Sequence, residues 1–327
     1  MSWGSTLMVK TVHRAFWTSL ASFVLLGVSM TVGFAQESGT SAETPLSDYA
    51  AAAEPPAFDT AEQAVEVFKT TVSSGDFDKL ANLLGLDAAK TRASDGVMET
   101  YAEIQEGVKE KVVVENVENR KFLAIGDDLW PLPFPIAKRV DGKWAFDTFT
   151  GLEEIANRRV GENELQAIAT MRAYVDAQQE YALQDHDGDG VLEYAQRLIS
   201  SDGQKDGLYW PSTPGLPESP AGPALADGAV LAKAKAGEGY FGYHYRILTS
   251  QGENIAGGRY DYVINGNMIA GFALVAWPAS YGETGVHTFV VNRNGIVYEA
   301  DLGDQTERIA ADIRQFNPNE DWQIVAD

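Results

Sequence analysis

The run Asp185-His186-Asp187-Gly188-Asp189-Gly190-Val191-Leu192-Glu193 places four carboxylates within one short stretch. Alternate aspartates in a tight loop turn to the same side. Asp185, Asp187 and Asp189 are therefore expected to face inward together, Gly190 supplies the sharp turn, and the Val191 carbonyl and Glu193 follow at the places a calcium loop uses. Bringing these charges to a few ångströms of each other costs on the order of 1 kcal/mol or more per unscreened pair, and a bound dication reverses that sign. The expected ligand set is Asp185, Asp187, Asp189, Val191 and Glu193, the expected cofactor is calcium, and its role is structural. The pattern departs from an EF-hand at its twelfth position, which is Gln196. Asp202 and Asp206 lie just downstream and could supply missing oxygens. The alternative reading is a solvated acidic turn whose aspartates cap the helical patterns on either side.

Other constellations carry less. Asp147, Glu153 and Glu154, with Arg158 and Arg159, form a polar cluster in which two carboxylates could serve as general acid and base; ion pairing is the plainer account. Gly237-Glu238-Gly239-Tyr240-Phe241-Gly242 has the letters of a dinucleotide loop, but it precedes a strand pattern instead of joining a strand to a helix. His186, His244 and His287 sit in different segments without the spacing of a zinc helix. The sequence contains no Gly-x-Ser-x-Gly elbow, no phosphate-binding loop and no cysteine, so thiol chemistry and disulfides are excluded. Tyr209, Trp210, Tyr240, Phe241, Tyr243 and Tyr245 concentrate aromatic surface. Either alternate members are core, or the group is an exposed platform for a glycan or a peptide.

The elements that must position these residues fall into two groups. Thr60 or Asp59 can cap a helix whose Ala64, Val65, Val67, Phe68 and Val72 share a face, and Ser74-Gly75-Asp76 stops it. A short helix over Phe77 to Leu84 follows. Strand-like runs then occupy Lys111 to Val117, Arg120 to Ile125, Pro135 to Val140 and Lys143 to Asp147, the last two joined by the hairpin signal Asp141-Gly142. Gly151 to Arg159 and Glu164 to Leu183 read as two helices, the second capped by Asn163 and carrying Leu165, Ile168, Val175 and Ala182 as its buried stripe. After a proline-rich stretch from Pro211 to Pro223, strands are expected at Tyr243 to Thr249, Tyr260 to Ile264, Met268 to Trp277, Val286 to Val291 and Ile296 to Ala300. Gly257-Gly258, Asn265-Gly266 and Asn294-Gly295 supply the turns. A helix from Thr306 to Phe316 comes last. The fold class is α+β: a small domain of helices and antiparallel sheet over 58–150, then a domain of long helix, acidic loop and antiparallel meander over 151–327.

Ahead of these elements, Lys10, His13 and Arg14 precede a mostly apolar run from Ala15 to Val32, and small residues stand at Gly33 and Ala35. This is the layout of a signal peptide over 1–35 cleaved before Gln36. Residues 36–57, rich in Ser, Thr, Ala, Glu and Pro, read as a flexible linker. The net charge of −22 repels phosphate backbones, so nucleic acid is excluded as a partner. No later segment is apolar enough to span a membrane after signal cleavage.

Several strings together resemble the bacterial family catalogued as domain of unknown function 2950. They are Trp130-Pro131-Leu132-Pro133-Phe134-Pro135, Asn157-Arg158-Arg159-Val160-Gly161, Asp187-Gly188-Asp189-Gly190-Val191-Leu192-Glu193-Tyr194, Asp206-Gly207-Leu208-Tyr209-Trp210-Pro211 and Gly271-Phe272-Ala273-Leu274-Val275-Ala276-Trp277-Pro278. The likeness runs from about Phe58 to Trp322. It implies export from a bacterial cell and carries over no catalytic residue. In element order the first domain also resembles a cystatin-like or nuclear-transport-factor-like α+β fold, and the second resembles a pseudopilin head; fold alone gives no function. The expectation is an exported, periplasmic or secreted protein that acts without catalysis, binding or assembling with an envelope protein, a glycan or a peptide. An envelope hydrolase using the carboxylates near residue 150 and a pseudopilin-like subunit are the alternatives.

Overall fold

The computed structural model describes residues 46–94, 96–212, 218–222 and 239–326. The expected signal peptide, the linker up to residue 45, residues 213–217 and 223 of the proline-rich stretch and the first two residues of the glycine-rich run lie outside the described residues. By compactness the chain divides into two units, one ending at Ala156 and the other beginning at Asn157.

In the first unit Thr60 caps α1 (Ala61–Ser73), its side chain accepting from Gln63 N. Asp76 caps α2 (Phe77–Leu84), which Gly85 ends in the left-handed conformation. Both helices turn their apolar stripes inward: Ala64, Phe68 and Val72 from α1, and Leu80, Leu83 and Leu84 from α2. Two further helices that the sequence pattern did not announce follow, α3 (Ala88–Ala93) and α4 (Val97–Glu110). Tyr101 is the one residue of α4 that is fully buried, so its apolar periodicity is too weak to be read. The chain then forms an antiparallel sheet of β1 (Val112–Val117), β2 (Arg120–Ile125), β3 (Trp130–Pro131), β4 (Ile136–Lys138) and β5 (Trp144–Phe146). Strands pair in the order β1-β2-β4-β5, with β3 against the end of β2. The inner face of the sheet, with Leu123, Ile136 and Phe146, closes on the helices.

Part of the expected linker is tied to this unit. Leu46–Tyr49 make one 3-10 turn. Ala51 N donates to Gly85 O, Asp87 N donates to Tyr49 O, and the Ser94 hydroxyl donates to that of Tyr49. Composition missed this because the anchoring is backbone pairing by few residues.

The two helices expected between Gly151 and Leu183 are one, α5 (Thr148–Tyr181). Asn163 does not cap a new helix there; its amide donates to Thr284 O. Gly161 costs the helix about 1 kcal/mol relative to alanine, which is not enough to break a helix held by its neighbours. The stripe agrees with expectation in part: Val175 is buried and Ile168 packs against the core, but Leu165 is 64% exposed, and Ala167, Met171, Tyr174 and Tyr181 are buried with them.

The second unit is built on an antiparallel sheet in the order β14-β13-β12-β11-β6. Its strands are β6 (Tyr243–Leu248), β11 (Ala273–Pro278), β12 (His287–Asn292), β13 (Val297–Asp301) and β14 (Gln323–Ile324). Between β6 and β11 the chain makes two small ribbons, β7 (Ser250–Gln251) with β8 (Tyr260–Asp261), and β9 (Val263–Ile264) with β10 (Asn267–Met268). Asn265 and Gly266 both take positive φ at the β9–β10 turn, 54° and 98°, as a type I′ hairpin requires. The last helix, α6, is shorter than expected (Thr306–Asp312), and Phe316 beyond it is buried beside Tyr298. Met171, Tyr174 and Tyr181 of α5 pack in one core with Phe272, Leu274, Val275, Phe289 and Val291 of the sheet region. The architecture is thus α+β in both units. Among the described residues no helix is long and apolar enough to cross a membrane.

Candidate functional site

The acidic run begins four residues after α5 ends. Asp185 folds the loop onto itself, its two oxygens accepting from Gly188 N at 2.7 Å and Gly190 N at 3.0 Å. Both glycines take positive φ, 82° and 85°, with open space where a side chain would lie. Asp187 accepts from Asp189 N, and Asp189 accepts from Val191 N at 2.7 Å. These turns bring carboxylate oxygens of Asp185, Asp187 and Asp189 within 4.8 Å of one another, all three residues being exposed. The backbone N–H groups of Gly188 and Gly190 hold the Asp185 carboxyl below its usual range.

Of the expected ligand set, the structure therefore gathers the three aspartates. Glu193 stands outside that group: its Oε2 accepts from Met268 N at 2.9 Å and from the Gln196 amide at 3.4 Å. Gln196, at the position where an EF-hand places its bidentate glutamate, also donates to Gly266 O at 2.6 Å. The Asn267 amide donates to Asp189 Oδ2 at 2.7 Å, and Tyr194 N donates to Met268 O at 2.9 Å. The loop is thus laced along the β9–β10 hairpin. Asp206 is spent on Ser201, accepting from its backbone N–H and its hydroxyl, and does not join the group.

One expectation about the setting is overturned. No helix follows the loop: residues 191–199 run without helical structure along the hairpin. Gln178 explains this course. Fully buried, it accepts from Ala195 N at 2.8 Å through Oε1 and donates to Ala195 O at 2.8 Å and to the Tyr174 hydroxyl at 3.0 Å through Nε2. Both backbone groups of Ala195 are taken by one side chain, so that residue has none left for a helical ladder.

The remaining candidates lie outside the aspartate group. Asp147 caps α5, accepting from Thr150 N and the Thr150 hydroxyl, and pairs with Arg120. Glu153 is exposed one turn further on, while Arg158 and Arg159 belong to the second unit. His186 stacks on Tyr181 at 4.0 Å, and His244 packs on Trp277 at 5.5 Å. His287 pairs with Glu164, whose Oε1 also accepts from Val286 N and His287 N. That last contact spans 123 residues, and no local pattern could have announced it. Of the two readings of the aromatic group, the structure favours the core over an exposed platform: Tyr240, Tyr243 and Trp210 are buried, and Tyr209, Phe241 and Tyr245 are half-buried. Among the described residues, the aspartate loop is the one cluster of acidic or imidazole groups arranged to hold a metal ion.

A family model described as a protein of unknown function (DUF2950) matches residues 56–325. No curated protein and no solved structure matches the chain.

Proposed function

The chain belongs to the family described as protein of unknown function DUF2950, and from that premise we propose an exported envelope protein that acts by binding or assembly, in which calcium pins the loop Asp185–Glu193. The observation that carries the metal reading is the convergence of three aspartates within 4.8 Å, with none of them ion-paired to a lysine or arginine among the described residues. Each carboxylate oxygen that accepts an N–H keeps a second lone pair, so the turn bonds leave the loop able to ligate. The Val191 carbonyl, Glu193 and water would complete an oxygen shell of roughly six to eight ligands. A hard, flexible all-oxygen set favours calcium over magnesium, which demands a strict octahedron and sheds its water reluctantly. The ion's role is structural: the loop joins α5 to the β9–β10 hairpin, and neutralising it fixes that junction.

Calcium at a hundredfold excess over its dissociation constant is expected to stabilise the native state by about 2.7 kcal/mol, a rise of roughly 5–10 °C in melting temperature for a unit of this size. Asp187→Ala combined with Asp189→Ala should abolish the rise, and magnesium should reproduce it poorly. The pH dependence has a definite sign. The Asp185 carboxyl is lowered in the fold, so its contribution is present above the ordinary carboxylate pKa of about 3.9 and is lost as pH falls below it. The calcium increment should vanish over the same acidic range. Equal melting in millimolar calcium and in chelator would reduce the loop to an acidic turn.

Export rests on the N-terminal layout. Protein recovered from the producing cell is expected to begin at Gln36 and to fractionate outside the cytoplasm; an intact Met1 in a cytoplasmic fraction would contradict it.

A further inference from the structure

The second unit contains a hollow of about 330 Å³ between α5 and the sheet. To its wall α5 contributes small residues, Ala173 and Ala177, alongside the larger Tyr240, Tyr245, Leu274 and Trp277. An apolar cavity of about 150 Å³ is enough for benzene, so this volume suits a molecule of roughly a dozen heavy atoms. We propose that this hollow is a binding site for an uncharged, largely aromatic or hydrocarbon small molecule carrying one hydrogen-bond acceptor.

Three observations define that ligand. The described walls include no aspartate, glutamate, lysine or arginine, and burial drives His244 toward its neutral form. An ionised ligand would therefore lose its water without gaining a counter-charge, a cost of several kcal/mol. The aromatic walls supply flat apolar surface. The third observation is the Tyr245 hydroxyl, which is buried beside the Thr170 hydroxyl but meets no acceptor in full hydrogen-bond geometry. Three other wall hydroxyls are already committed. The Thr170 hydroxyl donates to Gln166 O at 2.8 Å, the Tyr174 hydroxyl to Ala273 O at 3.2 Å, and the Tyr243 hydroxyl to His287 O at 3.0 Å. Burying a hydroxyl without a partner is costly, and a carbonyl, ether or alcohol oxygen on the ligand would satisfy it. The site shares no lining residue with the aspartate loop, so it is expected to fill in calcium and in chelator alike.

Three probes of thirteen heavy atoms each separate these features: 2-acetylnaphthalene, its hydrocarbon counterpart 2-isopropenylnaphthalene, and 2-naphthoate. Titrated into the full chain beginning at Gln36, in calcium and again in chelator, the ketone should bind saturably at one site and quench tryptophan fluorescence. The hydrocarbon should bind about two- to tenfold more weakly, the span of one net hydrogen bond, and the carboxylate should not bind measurably. Tyr245→Phe should bring ketone and hydrocarbon to equal affinity, and Ala173→Phe should fill the hollow and exclude both. Because Ala173→Phe could unfold the unit, intermolecular nuclear Overhauser effects from the bound ketone to Trp277 and Tyr245 ring protons give an independent reading in the unmutated protein. The proposal is overturned by absence of saturable binding, by naphthoate binding as well as the ketone, by a ketone preference that survives Tyr245→Phe, or by Overhauser contacts to residues elsewhere.

Discussion

Gln178→Leu is expected to destabilise the second unit by about 3–5 kcal/mol. The residue is wholly buried and holds both backbone groups of Ala195 as well as the Tyr174 hydroxyl. Leucine fills a similar volume but leaves a buried N–H and a buried C=O unpaired, each costing about 1–3 kcal/mol. For a unit of this size that is a fall in melting temperature of roughly 10 °C or more. The substitution should also weaken calcium binding, because Gln178 fixes the segment leaving the aspartate loop and touches none of the three aspartates itself. Thermal melts with and without calcium test both parts. Leu165→Ser, on an exposed position of the same helix, should change stability by no more than about 0.5 kcal/mol. A Gln178→Leu protein that melts within two degrees of the parent would show that Ala195 finds other partners.

The second large effect lies in the first unit. Phe68 is fully buried on α1, with its ring 5.9 Å from that of Phe146 on β5, so it joins the helices to the sheet. Phe68→Ala should cost about 3–5 kcal/mol through lost burial and the cavity left behind. Its neighbour Val67 is 39% exposed, and Val67→Ala should cost well under 1 kcal/mol. Phe68 shares no partner with the aspartate loop, so the calcium increment should be unchanged in the Phe68→Ala protein. Scanning calorimetry reads both quantities. Loss of the increment would reveal coupling between the units, and a small Phe68→Ala penalty would mean that the cavity collapses.

What was legible in the sequence was what is encoded within a few residues. Helix α2 begins and ends where it was expected because Asp76 can cap it and Gly85 can take the left-handed conformation, both properties of single side chains. The Asn265-Gly266 turn was readable for the same reason. The three aspartates converge as their alternation predicted. Features decided by distant partners were not readable. Helix α5 continues through Gly161 because surrounding packing outweighs a local propensity cost. The helical pattern after the loop gives way because Gln178, seventeen positions upstream, takes the Ala195 backbone. Helices α3 and α4 bury too few residues to leave a periodic trace. The hollow between Ala173 and Trp277 has no sequence signature at all, since a void is a mismatch of shapes among elements that only the fold brings together.

The shortness of β14 bears on behaviour in a crowded solution. It pairs with Tyr298 and Glu299 of β13, and Val325 N donates to Val297 O just beyond it, so the Ala300–Asp301 end of that border has no partner strand among the described residues. An open row of backbone donors and acceptors is a template on which copies of a protein can stack into insoluble aggregates. Here Glu299 lies on that strand, exposed Glu320 and Asp321 precede β14, and the whole chain carries −22. Approaching copies therefore repel one another before their backbones can meet. Colloidal stability at this border depends on charge rather than on coverage, and it weakens as salt shortens the reach of that repulsion.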